Sequence, residues 1–247
     1  MANWNDPQLD RSGFGASPSL NGAAIGGATY DQGLRRHMLS IYNYMASGVL
    51  LSGVVALLFA SSGLALQIMV TPLRWVIALA PLAFVFAMSF GVNRMKTSTL
   101  QALFWGFSVA MGLSLSAIFL IYTGPSIATA FFAAAAAFAG LSLVGYTTKK
   151  SLSGLGTFMT MGLIGLLVAM VINMIWPMPG LTAAIPFLGV LIFAGLTAWD
   201  TQRLKNEYQY VQGTELAGKV VVMGALSLYL DFINMFQFLL SILGDRR

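Results

Sequence analysis

The sequence predicts an all-α, polytopic membrane protein with seven transmembrane helices, and three observations predict it. Only 9% of the 247 residues are charged and 57% are hydrophobic, with a mean hydropathy of +0.79. Soluble domains carry about 25% charged residues, so this chain cannot clothe a water-facing surface. From Met38 onward, apolar stretches of about 19 to 25 residues recur, each long enough at about 1.5 Å per residue to cross about 30 Å of hydrocarbon. The breaks between them are short, so successive helices are antiparallel neighbours in one bundle with no soluble domain inserted.

The elements follow in order. Residues 1–33 are rich in Gly, Ser, Ala and Asn and read as a flexible cytoplasmic tail. The tail lacks the basic start and apolar stretch of a cleaved signal peptide. Residues 34–247 form one seven-helix transmembrane domain. Its first helix is expected from Met38 to Ser62, after Arg35, Arg36 and a His37 expected to be solvated at the interface. The second runs from Leu73 to Val92 and the third from Thr99 to Tyr122, ending at Thr123-Gly124-Pro125. The fourth, Ser126 to Thr147, is small-residue-rich from Ala133 to Gly140 and stops before Lys149-Lys150. The fifth, Leu152 to Trp176, carries Gly154, Gly156, Gly162 and Gly165 and stops before Pro177-Met178-Pro179-Gly180. The sixth spans Leu181 to Trp199 and the seventh Val220 to Leu243. The small residues are read as close helix packing, and Trp75, Trp105 and Trp176 as interfacial anchors.

Cytoplasmic loops retain Lys and Arg during insertion, which sets orientation. Arg11, Arg35, Arg36, Arg94, Lys96, Lys149, Lys150, Arg203, Lys205 and Lys219 fall on one side, against Arg74, Arg246 and Arg247 on the other. The amino terminus is therefore expected in the cytoplasm. The terminal Asp245-Arg246-Arg247 pulls the other way, and a seventh segment that re-enters would bring the carboxyl terminus back inside; the sequence leaves that open.

Several chemistries are excluded. The chain has no cysteine and one histidine, which removes thiolate catalysis, Cys-ligated metals and His clusters. The net charge of +5 follows the topology, so it does not point to nucleic acid; the expected partner is the lipid bilayer, and no cofactor is expected.

No carboxylate occurs between Asp31 and Asp200. Asp231 lies near the middle of the seventh helix, in Leu226-Ser227-Leu228-Tyr229-Leu230-Asp231-Phe232-Ile233-Asn234, where Ser227 and Asn234 share its face as a polar stripe. A lone Asp at mid-bilayer costs about 2.5 to 3.5 kcal/mol, so it is expected to face the bundle interior, protonated or partnered. A purely structural role, as a staple to Asn173 or Gln237, is the alternative. Asp200 ends the sixth helix in Trp199-Asp200-Thr201-Gln202-Arg203. Hydropathy places it near the cytoplasmic face, about 16 Å shallower than Asp231. The two meet only if the sixth helix stays buried past Arg203 or a water-filled cavity reaches inward. Were they to meet, both could not ionise cheaply and they would share a proton. Loss of that proton would set repulsion inside a low-dielectric bundle and bias a helix rearrangement. The ionised pair would suit Ca²⁺, which takes hard oxygen ligands. Arg94, at the cytoplasmic end of the second helix, is the candidate counter-charge, or else an ordinary topogenic arginine.

The run Leu226 to Asn234, with Asp200-Thr201-Gln202 before it, resembles the Bax inhibitor family, also called the transmembrane Bax inhibitor motif family, in its bacterial form. The resemblance covers about Leu34 to Gly244. It implies a central helix surrounded by six others, in the inner (plasma) membrane of a bacterium, and a pH-sensitive leak of cations, chiefly calcium ions. It also implies that Asp200 and Asp231 form the proton-sharing sensor and that Arg94 latches onto it. Bacterial relatives are associated with restraining a membrane-bound quality-control protease and eukaryotic ones with resistance to cell death; neither role is read from these residues.

Other readings compete. An intramembrane aspartyl protease would have Gly-x-Gly before its second aspartate, where this chain has Leu228-Tyr229-Leu230. A rhomboid-type serine site fails because Gly140-Leu141-Ser142-Leu143 lacks the closing glycine and no histidine is embedded in the membrane, and a retinal site lacks a lysine in the seventh helix. The chain is therefore not expected to be an enzyme. An interaction protein docking on a membrane protease without conducting ions, and a proton-coupled transporter, remain as alternatives.

Overall fold

The computed structural model describes residues 20–247, with side chains from residue 30 onward; the expected tail therefore lies outside the described residues up to residue 19. Eight helices follow: α1 (Leu20–Ser61), α2 (Leu64–Met69), α3 (Leu73–Gly91), α4 (Thr97–Ile121), α5 (Gly124–Thr147), α6 (Ser153–Ile175), α7 (Pro179–Val211) and α8 (Leu216–Leu243). All but the short α2 are long and apolar enough to cross a bilayer. Large apolar side chains stand out from the bundle on its flanks, among them Leu50, Phe90, Phe132 and Leu191. Such a surface is stable only against lipid, and the protein is an integral membrane protein.

Local chemistry sets the helix ends. Pro125 and Pro179 stand in the first turns of α5 and α7, where the N–H that proline lacks would be unpaired anyway. Gly213, at φ 74°, takes the left-handed conformation that lets the chain reverse between α7 and α8. α1 already begins at Leu20, so residues 20–33 extend the first helix. The sixth expected helix is longer than hydropathy indicates: α7 continues from Trp199 to Val211. Its polar last turns stay ordered because they pack on the bundle, with Leu204 buried.

That extension corrects one expectation. His37 is buried, with its ring 5.1 Å from that of Tyr208, because the end of α7 lies over the start of α1. The glycines divide in a way their spacing does not reveal. Gly156 and Gly162 face Trp199 and Ile192 on α7, while Gly140, Gly154 and Gly165 have open space beside them.

α8 is the most enclosed span: half of its most apolar window is buried, against 6% in α6. It packs on α1, α4, α5 and α7, while α3 lies chiefly on α4 and α6 on α7. The carboxyl terminus is also placed. Thr123 N–H donates to the Asp245 carbonyl (3.1 Å) and Arg247 N–H to that of Ile121 (2.9 Å), and Asp245 N–H donates to Ser126 Oγ (3.0 Å). α8 thus crosses completely and ends beside the α4–α5 turn, opposite the bundle end that carries the α3–α4, α5–α6 and α7–α8 connections.

Candidate functional site: a buried carboxyl pair between α7 and α8

Three residues of α7, Thr201, Gln202 and Lys205, fix its rotation. Thr201 donates to Ser142 Oγ on α5 (3.3 Å). The Gln202 amide donates to the Lys150 carbonyl (2.9 Å) and accepts from Leu152 N–H (2.7 Å), tying α7 to the α5–α6 turn. Lys205, one turn on, donates to the Tyr146 carbonyl (2.7 Å). Gly145 permits this approach, because any side chain there would meet the backbone of Ala198. With α7 held on α5, Asp200 is turned toward α8.

Asp200 and Asp231 are both buried, at 6% and 4% exposure, and their carboxyls lie within hydrogen-bonding reach of each other. The depth difficulty is resolved by the length of both helices. Asp200 is about 16 Å along α7 from Val211, and Asp231 about 22 Å along α8 from Leu216. The end of α7 stays packed, as one way of meeting required. A cavity of about 400 Å³, lined by Asn93, Arg203, Glu207, Lys219 and Ser227 among others, approaches as far as Arg203.

Arg203 stands between that cavity and the pair. Its Nη2 is 3.0 Å from Asp200 Oδ1, but without the alignment of a hydrogen bond, since Asp200 Oδ1 and Asp231 Oδ2 both lack hydrogen-bond partners. The same nitrogen donates to Ser227 Oγ (3.2 Å), the guanidinium lies over the Trp199 ring (4.9 Å), and Nε is 3.8 Å from Glu207 Oε1. Asp200 Oδ1 thus rests on an ion pair alone and Asp231 Oδ2 on no hydrogen bond, a costly arrangement for buried carboxyl oxygens.

The sequence-predicted residues are distributed as follows. Asp200, Asp231 and Ser227 come together. Asn234 does not join them: its amide donates to the Leu230 carbonyl of its own helix (2.7 Å) and faces a separate cavity shared with Asn173 and Gln237. Asn173 Oδ1 accepts from Met178 N–H and the Thr182 hydroxyl. Arg94 is exposed in the α3–α4 turn and forms no salt bridge among the described residues. Arg203 holds the adjacent position instead. Sequence reasoning took Arg203 for a topogenic charge, although its spacing of three from Asp200 and four from Glu207 places all three on one helix face.

A second buried cluster was also missed. Tyr229, fully buried, contacts Ser52 Oγ at 2.6 Å. Ser52 is 2.6 Å from the Ser108 carbonyl and 2.9 Å from that of Gly48. Carbonyls only accept, so the serine proton goes to them and the Tyr229 hydroxyl donates to Ser52. Phe104 and Phe107 pack edge-on against Tyr229.

Residues 34–247 match the model of the family described as "Inhibitor of apoptosis-promoting Bax1". A protein of Caulobacter vibrioides is 47% identical over 230 residues, covering 88% of this chain and 91% of the relative. A protein of Rickettsia prowazekii is 43% identical over 220 residues, covering 89% and 93%. The inner membrane protein YbhL of Escherichia coli is 40% identical over 219 residues, covering 87% and 94%.

Proposed function

Because this chain belongs to the Bax inhibitor family, we propose that it provides a pH-sensitive leak path for cations, calcium foremost, gated by a proton shared between Asp200 and Asp231. The observation that carries this reading is the pair of facing, buried carboxyls, with Arg203 between them and a cavity. The membrane is an inner membrane, as the name of the Escherichia coli relative states for that protein, and the basic end of the bundle with the amino terminus faces the cytoplasm.

A proton between the carboxyls makes their contact attractive. Its loss leaves two negative charges face to face, worth about 4 kcal/mol at roughly 4 Å and an effective dielectric of about 20. That is enough to shift two helix arrangements by several hundredfold. A further cavity, of about 330 Å³, is lined by Val49, Leu115, Phe131, Ile233 and Phe236 among others. The carboxyl pair acquires no third acidic or histidine ligand among the described residues, which suits a passing, partly hydrated cation better than a caged one.

The test is flux from liposomes loaded with a calcium dye. Wild-type protein leaks in a pH-dependent manner, and Asp231→Asn and Asp200→Asn flatten that dependence. Equal background leak from all three at every pH would remove the channel reading.

A further inference from the structure

A groove of about 530 Å³ runs between α1 and α5, sharing no wall residue with the cavity at Arg203, with walls that include Leu39 and Tyr42 on one side and Ala139, Ser142, Leu143 and Tyr146 on the other. It opens sideways, since Leu39 and Leu143 are 49% and 63% exposed. A side-open apolar groove between membrane-spanning helices faces hydrocarbon, so its natural filling is an acyl chain. Its basic end is closed by Arg35, which is exposed and forms no salt bridge among the described residues. Seven residues of helix separate Arg35 from Tyr42, about 10 Å, so the guanidinium stands at headgroup level above a chain lying on Tyr42.

The surrounding charges favour an anion. Arg36 follows Arg35, and Lys149 and Lys150 leave α5 exposed at the same bundle end. Lys205 lies over the Tyr146 ring at 5.0 Å. Asp31, one turn before Arg35, is the opposing charge on α1. We propose that the α1–α5 groove binds an anionic phospholipid of the leaflet at the basic end, one acyl chain lying against Tyr42 and Leu143 and the phosphate meeting Arg35. The site shares no residue with the carboxyl pair, and its test reads lipid retention in place of ion flux.

Native mass spectrometry of the detergent-purified full chain, offered equal amounts of phosphatidylglycerol and phosphatidylcholine, tests it. Wild-type protein retains phosphatidylglycerol preferentially. Arg35→Gln lowers that preference about fivefold, the worth of one basic residue beside an anionic headgroup. Ala139→Trp and Leu143→Trp, both at lipid-exposed positions that tolerate bulk, displace either lipid. Thermal unfolding identifies which variants are folded, and one folded Trp variant suffices. Equal retention of the two lipids by wild type, an Arg35→Gln preference like that of wild type, or wild-type lipid retention in a folded Trp variant would overturn the site. So would a second copy of the chain occupying the groove, seen as a dimer mass lost on Ala139→Trp.

Discussion

Two polar clusters sit on opposite faces of α8, around Tyr229 and Asp231. Two residues apart is about 200° of helix rotation, so Tyr229 turns toward α1 and α4 while Asp231 turns toward α7. Around Tyr229 the polar groups are neutral and met: the tyrosine donates to Ser52, the serine proton goes to carbonyls, and Ser108 donates to the Phe104 carbonyl at 2.9 Å. Around Asp231 three buried polar atoms, Asp200 Oδ1, Asp231 Oδ2 and Arg203 Nε, stay unmet, and a cavity reaches Arg203. A satisfied network rigidifies a core, whereas an unsatisfied one stores the capacity to change. The first cluster holds α8 in place, and the second is the part of α8 on which the proposed sensing rests.

Substitutions separate the two roles, the largest effect coming from the carboxyls. Asp231→Asn cannot form the doubly charged state, so the pH step in calcium flux is lost, a change of up to several hundredfold at the steepest part of the profile; a mutant with the wild-type pH profile would place the sensor elsewhere. Arg203→Gln comes next. It removes the cation that favours the ionised pair, so the step in flux moves to higher pH, and an unmoved step would reduce Arg203 to a packing residue. Tyr229→Phe acts on the other face, where loss of one buried hydrogen bond lowers stability by about 1 kcal/mol. Its thermal midpoint in detergent falls while the pH profile of flux stays that of wild type; a displaced profile would show that the two clusters are one. Arg94→Ala has the smallest effect, with flux and its pH step unchanged in correctly inserted protein, because Arg94 is exposed and forms no salt bridge among the described residues. A displaced step there would reveal a second state in which Arg94 reaches the carboxylates.

How far the site could be read before folding varies by residue. Asp200 and Asp231 stood out because acids are absent from the preceding five spans and carboxylates in an apolar helix are expensive. Arg203 did not stand out, because an arginine after an apolar run is what topology alone requires. The Tyr229 cluster gave no signal either, since single serines and tyrosines in apolar helices are common and their partners lie 56 and 177 residues away. Asn234 misled for a related reason: sharing a face with Asp231 along three residues says nothing of which neighbour lies against each turn, and its amide bonds its own helix. Hydropathy ended the sixth helix at Trp199 because the following residues are polar. They remain helical to Val211 because α7 is held there by α5 and lies over α1, which also buries His37.

Membrane residence, the number and alternation of the spans, and the two late acids on neighbouring helices are all dictated by residue order. Each depends on a local free energy, the transfer of a short stretch or one side chain into hydrocarbon, and that sums along the chain without regard to what it touches. The facing of the carboxyls, the place of Arg203 beside them, the cavity that reaches Arg203 and the side on which the chain ends depend on helix rotation and offset. Those are set by close contacts such as Gly145 against Ala198 and Gln202 against the α5–α6 turn, between residues roughly fifty positions apart, and no local transfer energy carries that information.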